Sequence, residues 1–336
     1  MKYLVTGGAG FIGSNFVHFL LSRDSTCEVV VLDALTYAGN LENLDDLKGN
    51  PRFSFIHGDV RDREAVAGSL EGVEGVFHFA AETHVDRSIL GSSEFITTNV
   101  LGTHTLLEGC RTRGIRRFLH VGTDEVYGSA EEVGFPETAV LAPSSPYSAS
   151  KAAADLLALA YHKTYQLPVV VTRSSNNFGP YQFPEKMIPL FVTQAAENRP
   201  LPVYGDGMQK RDWLYVEDNC EAIWTVYEKG EIGTIYNVGT GTVLTNLALT
   251  REILRLLGKS ETLIRHVEDR PGHDRCYLLD CTRLFRLGWA PRQSFSEALF
   301  GTIEWYKTHE AWWKGIKEKK ASFQQYYEAQ YGKRGV

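Results

Sequence analysis

Tyr147 and Lys151 stand four residues apart in Ser144-Ser145-Pro146-Tyr147-Ser148-Ala149-Ser150-Lys151. On a helix this spacing puts both on one face, where an ammonium lowers the pKa of a phenol that otherwise titrates near ~10. Such a tyrosine serves as a base toward hydroxyl groups near neutral pH. Upstream, Thr123-Asp124-Glu125 sets a hydroxyl beside two carboxyl groups. Hydride transfer alone has no use for a carboxyl pair, whereas elimination of water needs an acid and a base together. Neighbours on an extended strand point to opposite faces, so both acids reach one substrate only if the chain bends after Thr123.

A third feature is the glycine run Gly7-Gly8-Ala9-Gly10-Phe11-Ile12-Gly13, which follows an apolar stretch at once and opens a helical pattern. In that context the spacing lets the backbone approach a pyrophosphate, with free amides and the positive helix end facing it. Asp33, 20 residues after Gly13, is placed to accept hydrogen bonds from an adenosine ribose and would repel a 2′-phosphate, which favours NAD over NADP. Asp59, in Gly58-Asp59-Val60, is placed to contact adenine.

These groups need a scaffold. Flat apolar runs at 2–6, 28–32, 53–57, 75–79, 118–121 and 169–172 suit strands buried on both faces. Helical periodicity at 12–22, 63–70, 95–113 and 147–165 alternates with them, which predicts a Rossmann-type, doubly wound parallel sheet. Ser145 and Pro146 read as the cap and first turn of the last of these helices. Beyond about Asn176, Pro180, Pro184, Pro189, Pro200 and Pro202 break the rhythm, and helices return at 217–229, 247–257 and 296–308. The expected organisation is a nucleotide-binding domain over 1–175, receiving part of 214–240, and a smaller C-terminal α/β lobe over 176–336.

The 336 residues include 43% hydrophobic and 23% charged side chains, a composition that fills a core and covers a surface. Thirty-five Lys and Arg against 41 Asp and Glu leave a net charge of −6 without a basic block, which argues against a nucleic-acid partner. No apolar run approaches the ~20 residues that cross a bilayer, and no secretory leader is legible at the N-terminus, so a cytoplasmic protein is expected. The five cysteines lack zinc spacing and are expected to be reduced; no metal is expected.

Gly7-x-x-Gly10-x-x-Gly13, Thr123 and Tyr147-x-x-x-Lys151 resemble the extended short-chain dehydrogenase/reductase superfamily. Within it the chain resembles the dTDP-glucose 4,6-dehydratase family. The likeness is carried by Ala80-Ala81-Glu82-Thr83-His84-Val85-Asp86-Arg87-Ser88, Thr123-Asp124-Glu125-Val126-Tyr127-Gly128 and Asn176-Asn177-Phe178-Gly179-Pro180. It continues through Pro184-Glu185-Lys186, Arg211-Asp212-Trp213 and Arg270-Pro271-Gly272-His273-Asp274. Phe178 stands where tyrosine is usual and Asn219 where histidine is usual.

The resemblance implies an NAD-dependent lyase acting on dTDP-glucose. Tyr147, helped by Thr123, would take the proton from the carbon-4 hydroxyl, Glu125 the proton from carbon 5, and Asp124 would protonate the hydroxyl leaving carbon 6. It implies cofactor contacts from Gly7, Gly10, Phe11, Ile12, Gly13, Asp33, Asp59, Val60, Ala80, Ala81, Tyr147 and Lys151. For the substrate it implies His84, Thr123, Asn176 and Glu185, with Lys186, Arg211, Arg270 and His273 toward the diphosphate and Pro202, Tyr204 and Asn246 toward the base. It also implies a homodimer through the helices 95–113 and 147–165. A nucleotide-sugar 4-epimerase shares all but the acid pair, and a non-catalytic NAD-reading redox sensor shares the loop alone; both remain open on the residues.

Overall fold

The computed structural model describes residues 1–130 and 133–332. Seven parallel strands form its central sheet: β1 (Lys2–Thr6), β2 (Glu28–Asp33), β3 (Phe53–His57), β4 (Gly75–His78), β5 (Arg117–Thr123), β6 (Val169–Ser174) and β10 (Ile235–Val238). Their order is β10-β6-β5-β4-β1-β2-β3, so the winding reverses between β1 and β4 and opens a crevice at the carboxyl ends there. This is the doubly wound architecture the alternating pattern predicts. The C-terminal lobe carries two small sheets. In one, β9 (Lys210–Tyr215) pairs with β7 (Asn176–Phe178) and β11 (Val243–Thr245); in the other, β8 (Leu201–Tyr204) pairs with β12 (Ile264–Val267).

Successive strand residues feed opposite faces. Tyr3, Val5, Val29, Val31 and Phe77 pack with Phe16 and Val17 of the helix Phe11–Arg23 and with Ile223 and Val226 of the helix Val216–Lys229. Leu4, Val30, Leu32 and Val76 pack on the other face with Leu106, Leu107, Ala158 and Tyr161. Both faces being dry, the strands lack polar alternation.

Two expectations need correction. Pro189 does not break the chain: it sits in the first turn of the helix Met187–Ala196, where a missing amide costs nothing. The run expected as one helix over 95–113 is a short turn Ser93–Phe95, a π-helical stretch Ile96–Gly102 and an α-helix Thr103–Arg113. Asn99, buried within the π stretch, bonds the Glu82 amide and carbonyl at 2.8 and 3.0 Å and Ser150 Oγ at 2.8 Å, tying the end of β4 to the tyrosine helix. Two further helices, Glu310–Lys319 and Ala321–Tyr331, lie beyond the periodic segments recognised in the sequence.

The helix Pro146–Tyr165 starts at a capping box, with Ser145 Oγ accepting from the Ser148 amide at 3.1 Å and Ser148 Oγ from the Ser145 amide at 3.0 Å. Tyr147 sits one residue inside it. Ser145→Ala is expected to lower stability by about 1 kcal/mol, measured as a fall in the urea midpoint at unchanged slope.

Candidate active site

The Gly7 to Gly13 turn leaves β1 at its carboxyl end. Gly7 has φ +71°, and a Cβ there would lie 2.7 Å from the Ala80 amide nitrogen; a Cβ on Gly13 would run into the Gly7 carbonyl. Glycine is therefore required at both positions. Ser14 makes the first helical hydrogen bond, to Gly10 O at 2.9 Å, so the preceding amides of Phe11, Ile12 and Gly13 have no intrahelical acceptor, and these three residues line the cavity. Asp33 closes the turn, one oxygen accepting from Ala9 N at 2.9 Å and the other from Leu35 N at 2.8 Å. Asp59 holds Arg61, whose guanidinium engages its carboxylate at 2.7 Å and whose amide does so at 2.8 Å; together these outweigh burial and hold it below its ordinary range. Gly7, Gly10, Phe11, Ile12, Gly13, Asp33, Asp59, Val60, Ala80 and Ala81 all line one cavity, whose far end is formed by Thr123, Asp124, Glu125, Tyr147 and Lys151.

The required bend is present. A 3-10 turn, Asp124–Tyr127, begins directly after β5, with Thr123 Oγ1 accepting from the Glu125 amide. Both acids thereby line the same cavity. Burial and then the charge of Glu125 push Asp124 well above the ordinary carboxylate range, and its Oδ2 is buried with no hydrogen-bond partner. Burial raises Glu125 too, but Arg270, Lys186 and Arg211 oppose it. Burial thus raises both acids, while three cations face Glu125 and Arg211 faces Asp124, a difference of environment suited to one acid and one base.

The Tyr147 and Lys151 pair departs from the simple expectation. Burial and the Glu125 charge push the Tyr147 phenol up, with Thr123 opposing. Lys151 donates to Val121 O at 2.6 Å, and burial brings its ammonium down to about 8. The side chains share a cavity wall, yet the ammonium does not dominate the phenol.

A second cavity, walled mainly by the C-terminal lobe, meets the first at Glu125, Asn176, Asn177, Gln182, Glu185 and Lys186. Around it stand His84, Pro202, Tyr204, Arg211, Asn246, Arg270 and His273. Lys186 donates to Thr83 O at 3.1 Å. Arg211 donates to the Lys210 and Asp274 carbonyls and lies 4.1 Å over the Tyr277 ring. Burial, then Lys186, holds His84 down at about 4; burial, then Arg270, does the same for His273, so both are neutral at pH 7. Arg270 and Tyr204 both bond Asp86, at 2.6 and 3.0 Å, and the Tyr204 ring stacks with that of Tyr331.

Asp86 and the C-terminal helix are what sequence reasoning missed. Asp86 also accepts from Tyr326 and Gln330 at 3.2 Å, and Tyr331 lines the second cavity. The spacing of Phe323, Tyr327 and Tyr331, every fourth residue, was the available signal for that helix. Among the described residues no cluster of three or more His, Cys, Asp or Glu is placed to hold a metal ion.

Buried polar atoms without partners gather at the two cavities: Asp124 Oδ2, His84 Nδ1, Asn176 Oδ1, Glu185 Oε1, Asn246 Oδ1 and Arg270 Nε. Unpaired buried groups at this density mark a place where a polar ligand completes the hydrogen bonding. Fold and site together define an NAD-binding enzyme of the short-chain dehydrogenase/reductase type with an acid pair added to its Tyr/Lys couple.

A family model described as GDP-mannose 4,6 dehydratase matches residues 4–301, and the chain belongs to this family. It is 48% identical over 322 residues to a dTDP-glucose 4,6-dehydratase of Streptomyces niveus, covering 94% of this chain and 96% of that one. It superimposes with a TM-score of 0.92 on DesIV, a dTDP-glucose 4,6-dehydratase from Streptomyces venezuelae solved with NAD and TYD bound, at 49% identity over 94% of this chain and all of that one. A UDP-glucose 4-epimerase from Thermus thermophilus, solved with NAD, reaches 0.86 at 33% identity, covering 92% of this chain and all of that one.

Asp124 carries a stability cost. A carboxyl whose folded pKa is raised contributes stability below its unfolded pKa and loses it as pH rises toward the folded value. Asp124→Asn is therefore expected to be more stable than the parent at pH 7, by on the order of 1 kcal/mol, with the difference closing below about pH 4. Thermal unfolding at the two pH values measures it.

Proposed function

We propose that this chain is an NAD-dependent lyase that converts dTDP-glucose to dTDP-4-keto-6-deoxy-glucose. The observation that carries the reading is the bend after Thr123, which turns Asp124 and Glu125 into the cavity that Tyr147 and Lys151 line. The unpaired amides of Phe11, Ile12 and Gly13, the Asp33 carboxylate and the side-chain-free Gly7 and Gly13 fit a dinucleotide's pyrophosphate and ribose. When bound, NAD accepts hydride from carbon 4 and later gives it to carbon 6.

The protein's residues supply the proton chemistry. Tyr147, hydrogen-bonded with Thr123 to the carbon-4 oxygen, takes its proton as the hydroxyl becomes a ketone; burial and Glu125 favour the protonated phenol, and the role of the Lys151 ammonium, on the same helix face, is to offset them and favour phenolate. That ketone acidifies carbon 5, whose proton goes to Glu125. Asp124, whose carboxyl burial raises well above the ordinary range, gives its proton to the carbon-6 hydroxyl, which departs as water. Glu125 then returns its proton to carbon 5 as carbon 6 is reduced; Tyr147 is left holding the carbon-4 hydroxyl proton and Asp124 without its own, so one proton passed from phenol to carboxylate through solvent resets the site.

The same reading divides the chain's labour. Residues 1–175, with β10 and the helix before it, hold the cofactor; most of 176–336 holds the nucleotide sugar. Lys186 and Arg211 are directed to the diphosphate, Glu185 and Asn176 to the sugar, and the orphaned Asn246 Oδ1 to the base. We further propose a homodimer through the helices Thr103–Arg113 and Pro146–Tyr165 and the π stretch between β4 and the first of them, on which surface Ile96, Leu101 and Leu156 are about half exposed. A cytoplasmic location fits five buried, unpaired thiols.

The decisive test is incubation with dTDP-glucose followed by ultraviolet absorbance in alkali, where 4-ketosugars absorb; epimerised sugar without this signal would favour the epimerase instead. Glu125→Gln is expected to lower turnover by about 10²-fold or more while still oxidising carbon 4. Its complex with substrate would accumulate the reduced-nicotinamide absorbance band, and normal turnover would refute the role given to Glu125.

A further inference from the structure

Asp155 is buried to 0% exposure and takes no part in the chemistry above. It sits on the tyrosine helix at the next four-residue step after Tyr147 and Lys151, so the three share a face. Arg173 of β6 donates to its Oδ2 at 2.8 Å, and His120 Nε2 of β5 lies 3.2 Å from its Oδ1. The same guanidinium donates to the Tyr127 hydroxyl at 2.8 Å and lies 4.8 Å over that ring; Tyr127 in turn donates to Asn237 of β10 at 2.9 Å. Tyr127 ends the turn that carries the acid pair.

The carboxylate also lies close to the backbone of β5. A Cβ on Gly122 would lie 2.7 Å from the Thr172 carbonyl oxygen and 2.9 Å from Asp155 Oδ1, so the strand is bare where both approach. Gly122 stands between Val121, whose carbonyl receives Lys151, and Thr123, which begins the acid turn. Stability alone does not account for the cluster, because a buried ion pair is commonly replaced by apolar side chains without loss. Arg173 bonds this carboxylate directly, while Lys151, one turn back on the same helix face, bonds Val121 O and makes no ion pair with it.

We propose that Asp155 is a positioning residue: a buried counter-ion that keeps the Lys151 ammonium charged and held at the end of β5 while its Arg173 partner fixes the acid turn against the tyrosine helix. Burial pulls the Lys151 proton off and Asp155 opposes that loss. The other titratable groups around Lys151 are Tyr147 on its own helix, His120 on β5, His78 on β4 and Arg173 on β6. Burial, together with neighbouring positive charge, keeps both histidines neutral. The inference rests on the role proposed for Lys151.

The test measures kcat and KM for dTDP-glucose from about pH 5 to about pH 10 on holoenzyme carrying Asp155→Asn or Arg173→Gln, with thermal unfolding alongside. Losing the carboxylate is expected to lower kcat about tenfold with little change in KM, and to move the basic limb down by about one pH unit. Losing the competing guanidinium is expected to move that limb upward. Profiles that fall in height with limbs unmoved, whatever the unfolding temperature does, would overturn the proposal. If Asp155→Asn does not fold, a basic limb in Arg173→Gln that stays or falls overturns it equally. A parent enzyme whose activity shows no basic limb would instead remove the role of Lys151 itself.

Discussion

Strand β5 is extended through Thr123, and the next residues leave the sheet for a 3-10 turn whose first amides need acceptors. Thr123 Oγ1 supplies one of them. This local change of conformation brings two adjacent acidic side chains to one cavity wall, where a continuing strand would have split them between the two faces of the sheet. Because β5 lies beside β4 and β6 in an all-parallel sheet, the turn opens at the carboxyl edge, alongside the glycine turn after β1 and the asparagines after β6. The tyrosine helix, pinned by its capping box and by Asn99 through Ser150, closes the same space from one side.

Burial then sorts the charges. It raises Asp124 and Glu125, lowers Lys151 and Lys186, and holds His84 and His273 neutral. The difference between the two acids comes from what faces each: Glu125 looks toward Arg270, Lys186 and Arg211, while Asp124 has chiefly Arg211 and is repelled by Glu125 and Asp212. Glu125 also stands where the two cavities meet. The cations of the second cavity thus serve a nucleotide's negative charges and, at the same time, the ionisation of the proposed base. Such an arrangement is expected to cost stability, as where function requires unsatisfied buried groups.

Much of this was legible in the chain itself. The glycine spacing requires a backbone that approaches something closely, and Gly7 and Gly13 have no room for a side chain. The apolar strands and helical periods gave the sheet, because a period reports which faces are dry. Pro189 misled because proline forbids a helix interior but not its first turn, and the difference is one of position. Arg270 and Tyr204 were legible as cavity residues, while their shared partner Asp86 was not, since the bonds join residues more than a hundred positions apart.

The sequence by itself determined the residue types, their local spacing and the conformations those spacings permit: the glycine turn, the capped tyrosine helix and the alternation of strand and helix. Short-range sterics and backbone hydrogen bonding act within a few residues, so a few residues encode them. Only the tertiary structure decided which charges face one another across the cavities, that Lys151 bonds the Val121 carbonyl, that Arg61 claims Asp59, and that a C-terminal helix reaches Asp86. Electrostatic partners are chosen by distance in space and by the depth at which water is excluded, and neither is written in the order of the chain.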